Sequence, residues 1–465
     1  MFFRQYTLGC LSLYSYLIAD ETTRRAVVID PQRDIDGYLA DADEHSFSIE
    51  RVIETHFHAD FLSGHLELAA ATGAVVSYGD VAIADFAIEP LAHGQRLSLG
   101  EVTLEIRHTP GHTPESISIV IFETPESEPW GVLTGDTLFI GDVGRPDLLT
   151  SVGRSADSLA RDLYRSLHEQ LLPLPDATRV FPAHGAGSAC GKQLSSASES
   201  TIGEQRTSNY ALQAMSEDAF VAAVTEGQTV APLYFAFAAD ANRRERDLLD
   251  DREPPRTLDL ADARQFADRG AALLDTRSPE SFASGHLRGS VNVGLDGRFA
   301  EYAGDIIRPG QQVVLLGHAG TGIEGKVRLA RIGLDAVVGY VPDVEAALAD
   351  HPDLAIASSR LTAADIAAWI RDDPTVQVID VRNPGETASG MLPGARNFPL
   401  ASLIDHLDEL DPQRPIIVYC AGGYRSSVAA STLRANGFTE VADLLGGYGA
   451  WSGTDETCDL PVSAQ

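Results

Sequence analysis

Lysine stands at only two positions of the 465-residue chain, Lys192 and Lys326, so arginine carries nearly all the positive charge. The 35 basic residues face 67 acidic ones, a net charge of −32. So acidic a surface repels phosphate backbones and anionic lipid, and neither nucleic acid nor membrane is an expected partner. Cysteine is scarce too. Cys10, Cys190, Cys420 and Cys458 are too few and too scattered for a disulfide framework or a C-x-x-C zinc knuckle. No apolar run is long enough to cross a bilayer. The opening M-F-F-R-Q-Y lacks the basic head, apolar middle and cleavage site of a signal peptide, so the expected compartment is the cytoplasm. What is present, 44% hydrophobic and 22% charged residues, is a globular composition over a length that predicts two to four domains.

The densest chemistry lies in Thr55 to His65, T-H-F-H-A-D-F-L-S-G-H, where three histidines and an aspartate follow an apolar strand-like run. Imidazole and carboxylate are the ligand types that suit zinc and iron, and H-x-H-x-D at a strand end lets alternate side chains share one pocket. Strand-like segments at 2–8, 13–19, 25–30, 74–78, 102–107, 117–122 and 131–133 interleave with helical patterns at 35–46 and 62–72. That alternation predicts an α/β sandwich with helices covering stacked sheets. Three further strand-to-loop junctions each place one His or Asp, in P-G-H-T at His112, T-G-D at Asp136 and P-A-H at His184.

In this order the motifs resemble the metallo-β-lactamase superfamily, and within it the persulfide dioxygenases, with glyoxalase II as close kin. The resemblance implies an αββα sandwich over residues 1–245. Hydrolases of the superfamily usually read H-x-H-x-D-H and hold two zincs, whereas Phe61 occupies the last position here. The resemblance therefore implies one non-haem Fe(II) per chain, held by His56, His112 and Asp136, with His58, Asp60 and His184 orienting those ligands from behind. Two histidines and one carboxylate leave positions open for oxygen and a sulfur ligand. The stretch I-G-D-V-G-R-P-D is similar to the dioxygenase segment whose arginine faces substrate, which points to Arg145; the plainer reading is a surface salt bridge. Cys190 is preferred as a small buried residue over a thiol activated by nearby Lys192.

Residues 240–256 are charged, poor in packing residues and end in Pro-Pro, a boundary signature. Beyond them the chain repeats itself. Asp275, Arg277, Gly285, Gly289 and Asn292 match Asp380, Arg382, Gly390, Gly394 and Asn397 at one offset of 105 residues. Two copies of one doubly wound α/β domain are expected, at 257–350 and 358–465.

The second copy resembles rhodanese, the sulfurtransferase family, in its D-V-R, its G-x-x-x-G-A-x-N-F-P and its loop Cys420-Ala421-Gly422-Gly423-Tyr424-Arg425. A cysteine after an apolar strand, followed by small residues leading into a helix, sits among backbone N–H groups that favour a thiolate or persulfide. Cys420 is the expected nucleophile and Arg425 the anion holder. A phosphatase would need C-x5-R, one residue longer. The first copy has Gly317 in place of the cysteine, and His318 is a weak substitute, so this copy is expected to be inactive. Cys458 is expected to be an incidental thiol.

Together these resemblances imply oxidation of a low-molecular-weight thiol persulfide by O2 to sulfite, then sulfur transfer through Cys420 to sulfite, giving thiosulfate. They also imply a homo-oligomer. Two alternatives stand: a zinc-dependent glyoxalase II-like thioester hydrolase fused to a sulfurtransferase, and a sulfur-relay protein with a degenerate metal site.

Overall fold

The computed structural model describes residues 1–148 and 153–453; Cys458 lies outside them. The chain forms two compact units. The first comprises residues 1–228 and 235–249, and the second residues 229–234 and everything from Asp250 onward.

The first unit holds two six-stranded mixed sheets, each with its strands adjacent in chain order. One runs from Phe2–Leu8 to Glu89–Leu91, antiparallel through its first three strands and parallel through the rest. The other runs from Arg96–Ser98 to Ser200–Thr201, antiparallel except where Gly131–Gly135 pairs with Arg179–Pro182. Side chains alternate across a strand, and Leu13–Ala19 uses that period on two buried faces. Tyr14, Tyr16 and Ile18 enter the core between the sheets, against Ile106, Ile119 and Phe181. Leu17 and Ala19 face outward onto Tyr38, Ala42 and Leu68 of the helices Asp36–His45 and His65–Thr72. The helix Ala156–Ser166 is capped by Ser155, whose Oγ accepts from Ser158 N–H, and lays Ala160 and Leu163 on the second sheet. Helix, sheet, sheet, helix is the expected sandwich.

Arg246 and Asp247 tie the end of this unit to its body. Arg246 pairs with Glu67 at 2.7 Å, and the carbonyl of Asp247 accepts from Arg33 at 3.1 Å.

The second unit carries both repeats, each on an all-parallel sheet. In the first copy the strand order is Val291–Asn292, Ala272–Asp275, Val313–Leu316, Val337–Val341. In the second it is Arg396–Asn397, Gln377–Asp380, Ile416–Tyr419, Val441–Leu444, Ser359–Leu361. An isolated parallel bridge from Thr257 to Tyr340 takes the fifth position in the first copy. Among the described residues no helix is long and apolar enough to cross a membrane.

Candidate functional site

The donors of the first unit all lie just past the C-terminal ends of strands, where backbone leaves the sheet and side chains can converge. His56 follows Ser48–Ile53, His112 follows Thr103–His108, Asp136 follows Gly131–Gly135, and His184 follows Arg179–Pro182. The turn at Asp136 needs glycine. Gly135 has φ of 50°, and a Cβ on Gly144 would stand 1.9 Å from the Asp136 carbonyl oxygen.

Hydrogen bonds decide which ring nitrogen is free. Thr55 Oγ1 donates to Asp30 Oδ2 at 2.9 Å, so it accepts from His56 Nδ1 at 3.0 Å and leaves the lone pair on Nε2. His112 Nδ1 donates to the Arg145 carbonyl at 2.8 Å, which again frees Nε2. Asp136 Oδ1 accepts from His184 Nδ1 at 2.8 Å and turns Oδ2 toward the pair. His56 Nε2 lies 3.8 Å and His112 Nε2 3.5 Å from that Oδ2, all three side chains fully buried. Neither His56 Nε2 nor Asp136 Oδ2 has a hydrogen-bond partner among the described residues. Buried orphaned acceptors are costly, and a cation about 2 Å from each would offset that cost. Two imidazoles and one carboxylate thus fit a metal ion.

The electrostatics agree. Burial, then His58, push His56 well below its ordinary pKa against the pull of Asp136, so it is the neutral, ligating form. Burial alone would raise Asp136, but His184 and His56 hold it well below the usual carboxylate range. Burial opposes a charge on His184, yet Asp136 and Asp60 lift it to about 10. His184 Nε2 meets Asp60 Oδ2 at 2.6 Å, which makes a chain Asp136–His184–Asp60 behind the ligands. His58 points the other way, to Asp30 at 3.0 Å and Glu54 at 3.4 Å, and these carboxylates overcome burial to raise it. His65 opens its helix and lies 3.3 Å from Glu54. Phe61 packs its ring 4.3 Å from that of His58.

Arg145 is buried rather than at the surface. It grips Asp147 through Nε at 2.7 Å and Nη2 at 2.8 Å, and donates to the Ala189 carbonyl at 3.1 Å. Lys192 does not activate Cys190: its ammonium donates to the carbonyls of Ala223 and Glu226. Burial first, then Asp60 and Asp136, push the Cys190 thiol well up, and it sits in a cluster with Asp60 and His184. Cys190 is thus the small buried residue that the sequence reading preferred, not a thiol activated by Lys192.

In the second unit Cys420 ends the buried strand Ile416–Tyr419, just before the helix Tyr424–Ala435. Its Sγ accepts from the Gly423 N–H at 3.0 Å and lies 3.6 Å from Ser426 Oγ. Gly423 has φ of 104°, which bends the loop so that its N–H meets the sulfur. Ala421 and Gly422 are exposed at the tip. Tyr448 N–H holds the Cys420 carbonyl at 2.7 Å. Arg425 makes two 2.7 Å hydrogen bonds to Glu386, and Tyr424 Oη donates to the Gly294 carbonyl of the first copy at 2.5 Å.

Sequence reasoning missed Asp30, Glu54 and Glu386. Asp30 follows the strand Arg25–Ile29 with no motif around it, and Glu54 directly precedes the Thr55–His65 motif, a position that could have flagged it. Glu386 had a signal, the N-P-G-E run, in which Asn383 N–H donates to Glu386 at 3.0 Å.

Residues 8–184 match the metallo-beta-lactamase superfamily, and residues 258–342 and 362–454 each match the rhodanese-like domain. A bovine protein named persulfide dioxygenase ETHE1, mitochondrial, is 31% identical over 237 residues, covering 50% of this chain and 83% of its own. A cytoplasmic hydroxyacylglutathione hydrolase from Arabidopsis thaliana is 32% identical over 173 residues, 37% of this chain and 63% of its own. A crystal structure from Staphylococcus aureus, described as a metallo-beta-lactamase, superposes with a TM-score of 0.67 at 31% identity, covering 74% of this chain and 99% of its own. A buried His/Asp metal-site candidate in a two-sheet sandwich, followed by two parallel α/β repeats of which one keeps its cysteine, agrees with these likenesses: the chain belongs to the metallo-β-lactamase superfamily and carries two rhodanese-like domains behind that fold.

Proposed function

We propose that the chain oxidises a low-molecular-weight thiol persulfide to sulfite at a mononuclear Fe(II) site and passes sulfane sulfur through Cys420 to sulfite. The observation that carries this reading is the convergence of His56 Nε2, His112 Nε2 and Asp136 Oδ2, the two-histidine, one-carboxylate set of non-haem iron oxygenases. Kinship with the bovine persulfide dioxygenase supports it. A ferrous ion bound there would supply open positions for O2 and the terminal sulfur. His184 keeps a proton on Nδ1 against Asp136 Oδ1, which holds Oδ2 toward the two imidazoles. Thr55 and the Arg145 carbonyl fix the two imidazole tautomers. The chemistry balances as RSSH + O2 + H2O giving RSH, sulfite and two protons. Cys420 then takes sulfane sulfur from a second persulfide and yields it to sulfite, giving thiosulfate. One chain carrying both activities raises the effective concentration of sulfite for the second.

The test is oxygen uptake by the iron-loaded protein on adding glutathione persulfide. Rapid uptake, lost in His112→Ala, is the expected result; no uptake with iron bound and other thiol persulfides also inert would reject it. A zinc thioester hydrolase is the second reading, favoured by the cluster Asp60, His184 and Cys190, whose ligand atoms lie within 4.8 Å of one another beside the first set. Two zincs per chain and hydrolysis of S-lactoylglutathione would decide for it.

A further inference from the structure

The Cys420 loop is poor in side-chain donors of its own. Ala421, Gly422 and Gly423 have none, the hydroxyl of Tyr424 is spent on the Gly294 carbonyl, and both terminal nitrogens of Arg425 face Glu386. Sulfite and thiosulfate carry oxygens beyond the reacting sulfur, and an anion bound in a partly closed site needs donors for them.

The cysteine-less copy offers one. Its helix Phe299–Ile306 packs against the helix Tyr424–Ala435 and the segment Leu400–Glu409 of the second copy. Tyr302 on that helix stands with its ring 5.2 Å from the ring of Tyr424, where the Cys420 loop runs into its helix. The Tyr302 hydroxyl has no hydrogen-bond partner among the described residues and is not sealed from solvent. Burial and then Glu301 raise it to about 12, with Arg425 pulling the other way, so at neutral pH it keeps its proton and is a donor. The charges of Tyr302 and Cys420 both act on Arg425, the residue that follows Tyr424 in the loop.

We propose that Tyr302, supplied by the cysteine-less copy, is an anion-binding residue of the Cys420 site: its hydroxyl donates a hydrogen bond to an oxygen of the sulfite or thiosulfate that exchanges sulfur with Cys420. The inference rests on the sulfur-transfer reading of Cys420. In the transfer, the sulfite sulfur attacks the outer sulfur of the Cys420 persulfide, one S–S bond forms as the other breaks, and the electron pair returns to Cys420 Sγ. Charge balances with no oxidant and no proton. The cysteine-less copy then has a chemical use, completing the site of its twin.

The test uses the full-length protein and Tyr302→Phe, which keeps the ring stack and removes only the hydroxyl. Two readouts are taken: steady-state transfer from thiosulfate to cyanide, and protection of Cys420 by sulfite against iodoacetamide, read by peptide mass spectrometry. The expected result is a rise of about tenfold to a hundredfold in both the KM for thiosulfate and the sulfite concentration for half-protection, the size of one lost hydrogen bond to an anion, with kcat within about twofold. A residue that only props the fold would move kcat or the melting temperature instead. Unchanged KM and unchanged protection in Tyr302→Phe overturn the proposal, as does wild-type Cys420 that sulfite does not protect at all. If the wild type transfers no sulfur but sulfite protects Cys420 and the variant weakens that protection, the transfer reading fails and the anion site stands.

Discussion

In both repeats an arginine two residues beyond an aspartate is buried whole. Arg277 and Arg382 each bond back to their own aspartate, Asp275 and Asp380, through Nε and Nη2. Each reaches on to the carbonyl of the matching glycine, Gly285 or Gly390, at 2.9 and 2.7 Å. Asn292 and Asn397 each donate to the carbonyls of that aspartate and arginine. These bonds are shared by both frames, and Arg382 adds one to the Glu386 carbonyl at 3.2 Å. The loops differ. Where the second copy has Cys420 under a glycine N–H, the first has Gly317, and a Cβ there would meet Thr276 Oγ1 at 2.5 Å and Thr321 Oγ1 at 2.9 Å. Where the second copy pairs Arg425 with Glu386, the corresponding residues of the first are Gly322 and Ser281. A frame survives loss of chemistry because its buried ion pair and carbonyl bonds hold the sheet ends whatever the loop does. The emptied nucleophile position has been closed by packing.

The largest expected effect concerns the nucleophile. Cys420→Ser should cut thiosulfate-to-cyanide transfer at least about a thousandfold, and in persulfide oxidation shift the product from thiosulfate to sulfite. Adding Gly317→Cys to that variant should restore nothing; recovered transfer would mean the two loops are interchangeable after all. Next, Arg277→Ala and Arg382→Ala each strand a buried carboxylate and should each cost roughly 3–5 kcal/mol, read from urea unfolding. A large cost in one copy and none in the other would break the equivalence of the frames. Gly317→Cys alone should cost roughly 1–3 kcal/mol, because the added side chain pushes on Thr276 and Thr321. A neutral Gly317→Cys would show that the position is merely unused.

The smallest effect is one of pH. Burial alone would raise Glu386, but its two bonds to Arg425 outweigh that and hold its carboxyl below the ordinary value of 4.5. The pair's stabilisation is therefore complete above pH 4.5 and is lost as pH falls through the lowered folded value. Melting curves taken from pH 7 to 3 should fall more steeply for wild type than for Glu386→Gln; parallel curves would remove this pair from the distinction between the copies.

Much of this was legible in the chain itself, for physical reasons. Motifs such as H-x-H-x-D, P-G-H and C-A-G-G-Y-R are local: ligand type, turn chemistry and spacing sit within a few residues. The offset of 105 residues exposed the repeat for the same reason. The edge strands Glu89–Leu91 and Arg96–Ser98 went unread because three residues carry no resolvable alternation. Nearness of Lys192 to Cys190 in sequence says nothing of where its ammonium goes, since a lysine chain is long enough to choose carbonyls across the fold. Partners such as Asp30 for His58, or Glu386 for Arg425, lie some 28 and 39 residues away from them. No short-range pattern reports such pairs.

Residue type and local spacing determined by themselves which atoms can act here: two imidazoles and a carboxylate able to ligate, a cysteine with a small-residue loop, a second loop without one. Long-range packing decided how they act. It set the tautomers of His56 and His112 through Thr55 and the Arg145 carbonyl, turned His58 away toward Asp30 and Glu54, tied Arg425 to Glu386, and brought Tyr302 of one copy beside Tyr424 of the other. Hydrogen-bond partners and charge neighbours are properties of space, and only the folded chain brings those groups within reach.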